Sequence, residues 1–219
     1  MNTPAAEGSE SRHRRLSAPW RGLIAATGLA AIGLALNKIL NLGFLLGVTL
    51  LDNAYLYLLC ALLVGTVFLF LPATARARRD AVPWYDALLY MLSVAVFAYF
   101  AFNAHRILSE AWEFMAPTVA VAVSGLGWLL LLEATRRAGG TAVFVVVALI
   151  SLYPIFAGQM PGPIAGLPQP FHTTAAYHFT SSESVLGIPT RAFGELVIGF
   201  VMFGAVLQYT GAATFFNNI

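Results

Sequence analysis

Residues 54–71 read AYLYLLCALLVGTVFLFL, an uncharged apolar run that would extend ~27 Å as an α-helix at ~1.5 Å per residue. That length approaches the ~30 Å hydrocarbon thickness of a bilayer. Pro72 and the basic residues Arg76, Arg78 and Arg79 follow, a helix stop and then a charge cluster of the kind that flanks a membrane span. Similar apolar runs occupy 23–36, 84–102, 118–132, 141–156 and 192–209. None alternates polar and apolar residues as a barrel strand must, and only closed barrels or helices satisfy their backbone groups in lipid. The expected fold is therefore all-α, a polytopic transmembrane helical bundle of about six spans.

Composition agrees with that reading. Of 219 residues, 59% are apolar and 10% charged, against roughly 45–50% and ~25% in soluble domains. Mean hydropathy is +0.77. So few charges cannot cover the surface of a soluble fold, which excludes a soluble enzyme, a nucleic-acid binder and a disordered linker. Cys60 has no second cysteine to pair with and sits inside an apolar run, as a packing residue would.

Orientation follows from the basic residues. With the N-terminus cytoplasmic, Arg12, Arg14, Arg15 and Arg21, then Arg76, Arg78 and Arg79, then Arg136 and Arg137 share one side. Lys38, Arg106 and Arg191 remain near the other, so nine of the 12 (4+3+2) obey the positive-inside rule. Arginines followed by residues 23–36 also have the order of a secretory signal peptide. No clear small-x-small cleavage site precedes Asn37–Lys38, and the segment reads as an uncleaved anchor.

Between the spans, residues 1–19 read as a disordered cytoplasmic tail. Residues 41–53, interrupted by Gly43, Gly47, Asp52 and Asn53, suit an interfacial segment. The Gly43–Gly47 spacing matches GxxxG, which has meaning only in an embedded helix. Residues 103–117 carry Ile107, Leu108, Ala111, Trp112 and Met115 at helical spacing among His105, Arg106, Glu110 and Glu113, which predicts one amphipathic surface helix. Ser124, Gly125 and Gly127 are small enough to admit a close helix neighbour. Residues 158–170 form a Pro/Gly loop, and 173–184 continue it with polar and aromatic residues.

Few residues carry chemistry. His172, His178 and Glu183 share a loop, but their spacing matches no compact metal site, and they read as solvated; no metal ligands are assigned. His105 belongs with Arg106 and Glu110 on a surface face. Glu133, Arg136 and Arg137 read as a cytoplasmic cluster at the end of a span. Glu195 is the most notable ionisable group, because a carboxylate inside a span usually faces a cavity or a partner. Arg191 lies four residues before it, so the two form a candidate interfacial ion pair. The phosphate-binding loop, the nucleophile elbow and the zinc-protease helix are all absent as motifs. Catalytic and cofactor-binding residues are not assigned, and the chain reads as a non-enzyme.

Several phrases in order carry a resemblance: Trp84-Tyr-Asp86 after a basic loop, Leu132-Glu-Ala-Thr-Arg-Arg137, Tyr153-Pro-Ile-Phe156, Gly187-Ile-Pro-Thr190, and Phe203-Gly204 followed by Thr210-Gly-Ala-Ala-Thr-Phe-Phe216. Over about residues 20–219 the chain resembles the N-terminal part of the fused permease of tripartite ATP-independent periplasmic (TRAP) transporters. The resemblance implies a four-helix small-subunit-like module at 20–138 with interfacial helices, and the first two helices of a large transport subunit at 139–219. It implies residence in the bacterial inner membrane and import of organic acids with sodium. The implied partners are membrane lipid, the remainder of the permease and an extracytoplasmic solute-binding protein. Ile219 stands where that family continues into the re-entrant hairpins that hold substrate and sodium, so substrate-binding residues are not assigned, and the expectation is a scaffold that lacks them. A different class also fits, a stand-alone membrane assembly or anchoring subunit without transport activity.

Overall fold

The computed structural model describes residues 13–14, 16–45, 50–74, 77 and 80–211. Every regular element among them is helical. Helix α1 spans Ala18–Ile39, with a short α2 at Leu42–Leu45. Asp52–Leu63 forms α3 and Thr66–Phe70 forms α4. Trp84–Phe102 is α5, followed by the short α6 (Ala104–Ser109) and α7 (Trp112–Met115). Thr118–Phe156 is α8 and Phe171–Thr180 is α9. Ile188–Ala192 is α10, a π-helical turn covers Phe193–Val197, and Ile198–Tyr209 is α11. Gly47, the basic residues Arg12, Arg15, Arg76, Arg78 and Arg79, and the phrase from Ala212 onward lie outside the described residues.

Five helical stretches are long and apolar enough to cross a bilayer: Ala18–Ile39, Asp52–Phe70, Trp84–Phe102, Thr118–Gln159 and Ile188–Tyr209. This is an all-α, multi-pass membrane protein. The fourth stretch contains two of the expected spans, so spans one to six run in chain order over 18–39, 52–70, 84–102, 118–139, 141–156 and 188–209. Gly140 inside it has φ 82° and ψ 176°, a conformation closed to other residues. Trp128 Nε1 donates to Ser151 Oγ at 3.1 Å. In a straight helix those residues would stand ~35 Å apart. The chain therefore folds back at Gly140, and residues 118–139 and 141–156 are antiparallel arms of a helical hairpin.

Burial explains the arrangement. In α3–α4, Tyr55, Leu56, Tyr57, Leu59, Phe68 and Leu69 are all buried, so this span is apolar on every side and occupies the centre. The helix breaks at Gly65, where a Cβ would stand 2.9 Å from Tyr90 Cδ2, and the missing side chain lets α5 approach. Helix α5 turns Asp86, Tyr90, Ser93, Phe97 and Phe100 inward, a three- and four-residue repeat down one face. Helix α1 presents Thr27, Ala31 and Ala35, small residues one turn apart, while Leu29 on its other side is exposed.

Two connections differ from expectation. Residues 103–117 are not one amphipathic helix. Ala111 adopts a left-handed conformation (φ 47°, ψ 53°) that ends α6 and starts α7 in a new direction. Ile107 and Trp112 are buried, whereas Leu108 and Met115 are exposed. The break lets Trp112 Nε1 turn back to Glu110 Oε2 at 2.7 Å. Residues 173–184 are not a solvated loop either. Helix α9 dips from the Pro/Gly connection into the bundle, burying Thr174, Ala175, Ala176, Phe179 and Thr180. Its Phe179 ring packs with Phe97 and Phe100 and sits over Gly127, and its Phe179 carbonyl accepts a hydrogen bond from the Tyr57 hydroxyl.

Gly127 is the gap that admits α9. A Cβ there would lie 2.4 Å from Phe179 Cζ and 2.8 Å from Val96 Cγ1, and Phe179 has no exposed surface into which to retreat. Gly127→Val should destabilise the bundle by about 1–3 kcal/mol and expel α9. Thermal unfolding in lipid nanodiscs checks the first effect; faster proteolysis at 158–189 checks the second. Gly125→Val, which meets nothing within 4 Å, should change neither.

Candidate functional site

At one end of the bundle, five charged side chains from three chain regions meet. Asp86, in the first turn of α5, has no exposed side-chain surface. Its Oδ2 accepts from Arg14 Nη2 at 2.7 Å and its Oδ1 from Arg137 Nη1 at 2.7 Å. Arg137 Nε also donates to Glu133 Oε1 at 2.7 Å, and Arg136 binds both oxygens of Glu133 at 2.7 Å. Helical spacing supplies the local part: Glu133, Arg136 and Arg137 are i, i+3 and i+4 on the last turns of the first α8 arm.

The same arginines cap a helix. Helix α4 ends with carbonyls that have no intrahelical donor. Arg14 Nη1 reaches Phe68 O and Leu69 O at 3.3 Å, its backbone N–H reaches Phe70 O at 2.9 Å, and Arg137 Nη1 reaches Leu71 O at 3.2 Å. Arg136 Nη2 donates to Ala73 O at 3.0 Å, and the Arg137 guanidinium lies 5.1 Å over the Phe68 ring. The expected tail therefore gives way at Arg14, which is buried, and α1 begins at Ala18. Contacts among Arg14, Leu71, Asp86 and Arg137 put the start of span one, the end of span two, the start of span three and the end of span four on one face, the alternation expected from the basic residues.

Deeper in the bundle, the hairpin and α9 share a polar chain. Trp128 Nε1 donates to Ser151 Oγ, which donates to Ala148 O at 3.0 Å. His178 lies against the Trp128 ring, with Nε2 2.8 Å from Ser151 O and Nδ1 2.8 Å from Ser184 Oγ. Because a carbonyl only accepts, Nε2 carries a proton. A groove of about 340 Å³ opens beside this chain, walled by Leu131, Leu132, Val147 and Ile150. His178 thus serves the packing of α9, and Glu183 instead accepts from the Tyr177 hydroxyl at 2.9 Å. Among the described residues, no group of three His, Cys, Asp or Glu side chains converges as a metal site would require.

The opposite end holds Lys38 paired with Asp52, and Tyr55 donating to Gly194 O at 2.6 Å. In the connection above α5, the hydrogen bond from Arg106 holds the Glu110 carboxyl below the usual carboxylate range, with the Trp112 indole adding to the effect. The candidate pair Arg191–Glu195 is not joined: Arg191 Nε donates to Leu186 O at 3.2 Å, and among the described residues no ion pair includes Glu195. The π turn supplies the physical reason. It widens the helix at Phe193–Val197, so residues four apart no longer stack as α-helical spacing predicts.

Sequence spacing identifies the Glu133–Arg136–Arg137 cluster, but not Asp86 or Arg14 as its members. The available signal was an acid in the first turn of a span whose end faces the arginines. No family model, curated protein or solved structure matches the chain. Chemically, the arrangement fixes helix ends and satisfies carbonyls.

Arg14→Ala or Arg137→Ala would leave the buried carboxylate half-paired, and each should destabilise by about 3–5 kcal/mol. Adding Asp86→Leu to either should recover part of the loss. A double-mutant cycle on unfolding in nanodiscs measures the coupling; strictly additive effects would contradict the network.

Proposed function

We propose that the chain is the membrane scaffold part of a sodium-coupled secondary transporter that imports organic acids delivered by an extracytoplasmic solute-binding protein, in the manner of the TRAP fused permease it resembles. The observation that carries this reading is the cross-braced bundle. Spans one to four close on the buried Asp86 network, α9 wedges spans two to five together, and the Trp128–Ser151–His178 chain ties α9 to the hairpin. Such a body suits the static part of a transporter, against which a mobile part moves substrate.

The ordered phrases supply the transporter class. The expected boundary at 138/139 falls at the Gly139–Gly140 turn of the hairpin, so the small-subunit-like module would run directly into the first helix of the large one. The exposed apolar faces of residues 141–156 and α11, including Val146, Leu149, Phe200 and Phe203, leave room for the rest of a permease or for lipid. A bacterial inner membrane with the arginine end cytoplasmic follows from the same reading. The cross-bracing equally favours the alternative, an assembly or anchoring subunit, and uptake separates the two.

Proteoliposomes holding the chain with the rest of its permease and its solute-binding protein should take up an organic acid only under an inward sodium gradient. The chain alone should take up none, because the described residues of its membrane interior include few polar groups from which to build a substrate site. Uptake by the chain alone rejects the scaffold reading, and sodium-independent behaviour of the complete system rejects the transporter class. Topology is checked separately. Single cysteines in 158–170 should react with an impermeant maleimide from outside intact cells, and one at Ala77 only after lysis; the opposite pattern would reverse the bundle.

A further inference from the structure

At the arginine end, Arg14, Asp86, Glu133, Arg136 and Arg137 pair with one another. In the opposite half, Glu195 has no ion-pair partner among the described residues. It lies ~10 Å along the helix past Ile188, at ~1.5 Å per residue, inside the stretch Ile188–Tyr209. Its side is exposed, and so are Phe193, Leu196, Val197 and Phe200 around it. A carboxylate facing hydrocarbon is unfavourable unless a cation or donor meets it.

Among the described residues, no cation pairs with it. Lys38 is paired with Asp52 and lies 6.0 Å over the Tyr55 ring. Arg191 turns to the Leu186 carbonyl. Tyr55 interacts electrostatically with Glu195, but its hydroxyl is committed to Gly194 O. The inner side of the same turn is closed as well: Gly194 packs on Tyr55, Leu56 and Leu59, where a Cβ would stand 3.1 Å from two leucine methyls. With Gly194 fixed inward and the backbone widened by a π turn, Glu195 is held on the outward face. π turns of this kind often mark functional positions.

We infer that this face of span six is a docking surface for a transmembrane helix of another polypeptide segment, which places a lysine or arginine opposite Glu195. Charge complementarity selects the occupant. The apolar residues around Glu195 would suit lipid as well as protein, but a carboxylate at this depth is matched best by a positive group, and an ion pair there fixes both depth and rotation of the incoming helix. The inference goes beyond the transport reading, since an assembly subunit would need the same match.

The test uses the full chain in its native membrane, with a benzophenone amino acid at Leu196 or at Phe200, and with Leu129 on the hairpin as a control. Irradiation at 196 or 200 should yield an adduct with one transmembrane peptide that carries a lysine or arginine within a helical turn of the crosslinked residue. Glu195→Gln, which keeps shape and removes charge, should lower that yield about fivefold or more, the factor corresponding to a single lost pair. Glu195→Lys should abolish it, and exchanging the partner's basic residue for glutamate should restore it. Arg191→Ala should leave it unchanged. Adducts with lipid alone at both positions, or a protein adduct indifferent to Glu195→Gln, would overturn the inference. Wild-type crosslinking at Leu129 in each variant confirms that the chain is folded.

Discussion

The carboxylate of Asp86 is the group on which the rest of the bundle depends. Removed from water, an ion is strongly unfavourable unless its partners and hydrogen bonds are complete. Asp86 meets that condition with Arg14 on one oxygen and Arg137 on the other. Those arginines approach from opposite ends of the first four spans in sequence, so the carboxylate ties the start of the chain to the end of span four across the start of span three. Because they also take up the carbonyls that α4 leaves open, one small cluster fixes the relative depth of several helices. Pairing of this kind specifies geometry more than it adds stability.

Apolar packing in lipid gives helices little reason to choose one neighbour over another, since acyl chains are as apolar as leucine. Shape and hydrogen bonds make the choice here. Gly65 admits Tyr90, Gly127 admits Phe179, and Gly194 admits the Tyr55–Leu59 face. At two of these places a buried tyrosine on span two, Tyr57 or Tyr55, donates to the backbone of the element that has entered. Helix α9 and the π turn are thus both gripped by the central span. The later part of the chain is built onto the earlier part, and does not stand beside it as a separate body.

Glu195 marks where that internal matching stops. The charges of Arg14, Asp86, Glu133, Arg136 and Arg137 are matched within the bundle, and the Trp128–Ser151–His178–Ser184 chain is matched between the hairpin and α9. An exposed carboxylate among exposed phenylalanine and leucine is a feature that the fold itself does not account for, which ties it to something outside the bundle.

The sequence by itself determined that the chain is helical and membrane-embedded, because length and polarity of an apolar run are local properties that the bilayer reads directly. Trp84–Phe102 was legible almost to the residue, bounded by Pro83 and Asn103. The Glu133–Arg136–Arg137 cluster was legible too, since helical spacing alone sets it. Tertiary structure alone decided that Arg14 leaves the tail for Asp86, that Gly140 reverses the chain, and that residues 171–180 enter the bundle. It also decided that Arg191 and Glu195 part at a π turn. In each case the deciding partner is far along the chain, or the backbone departs from the regular period, and residue spacing carries no record of either.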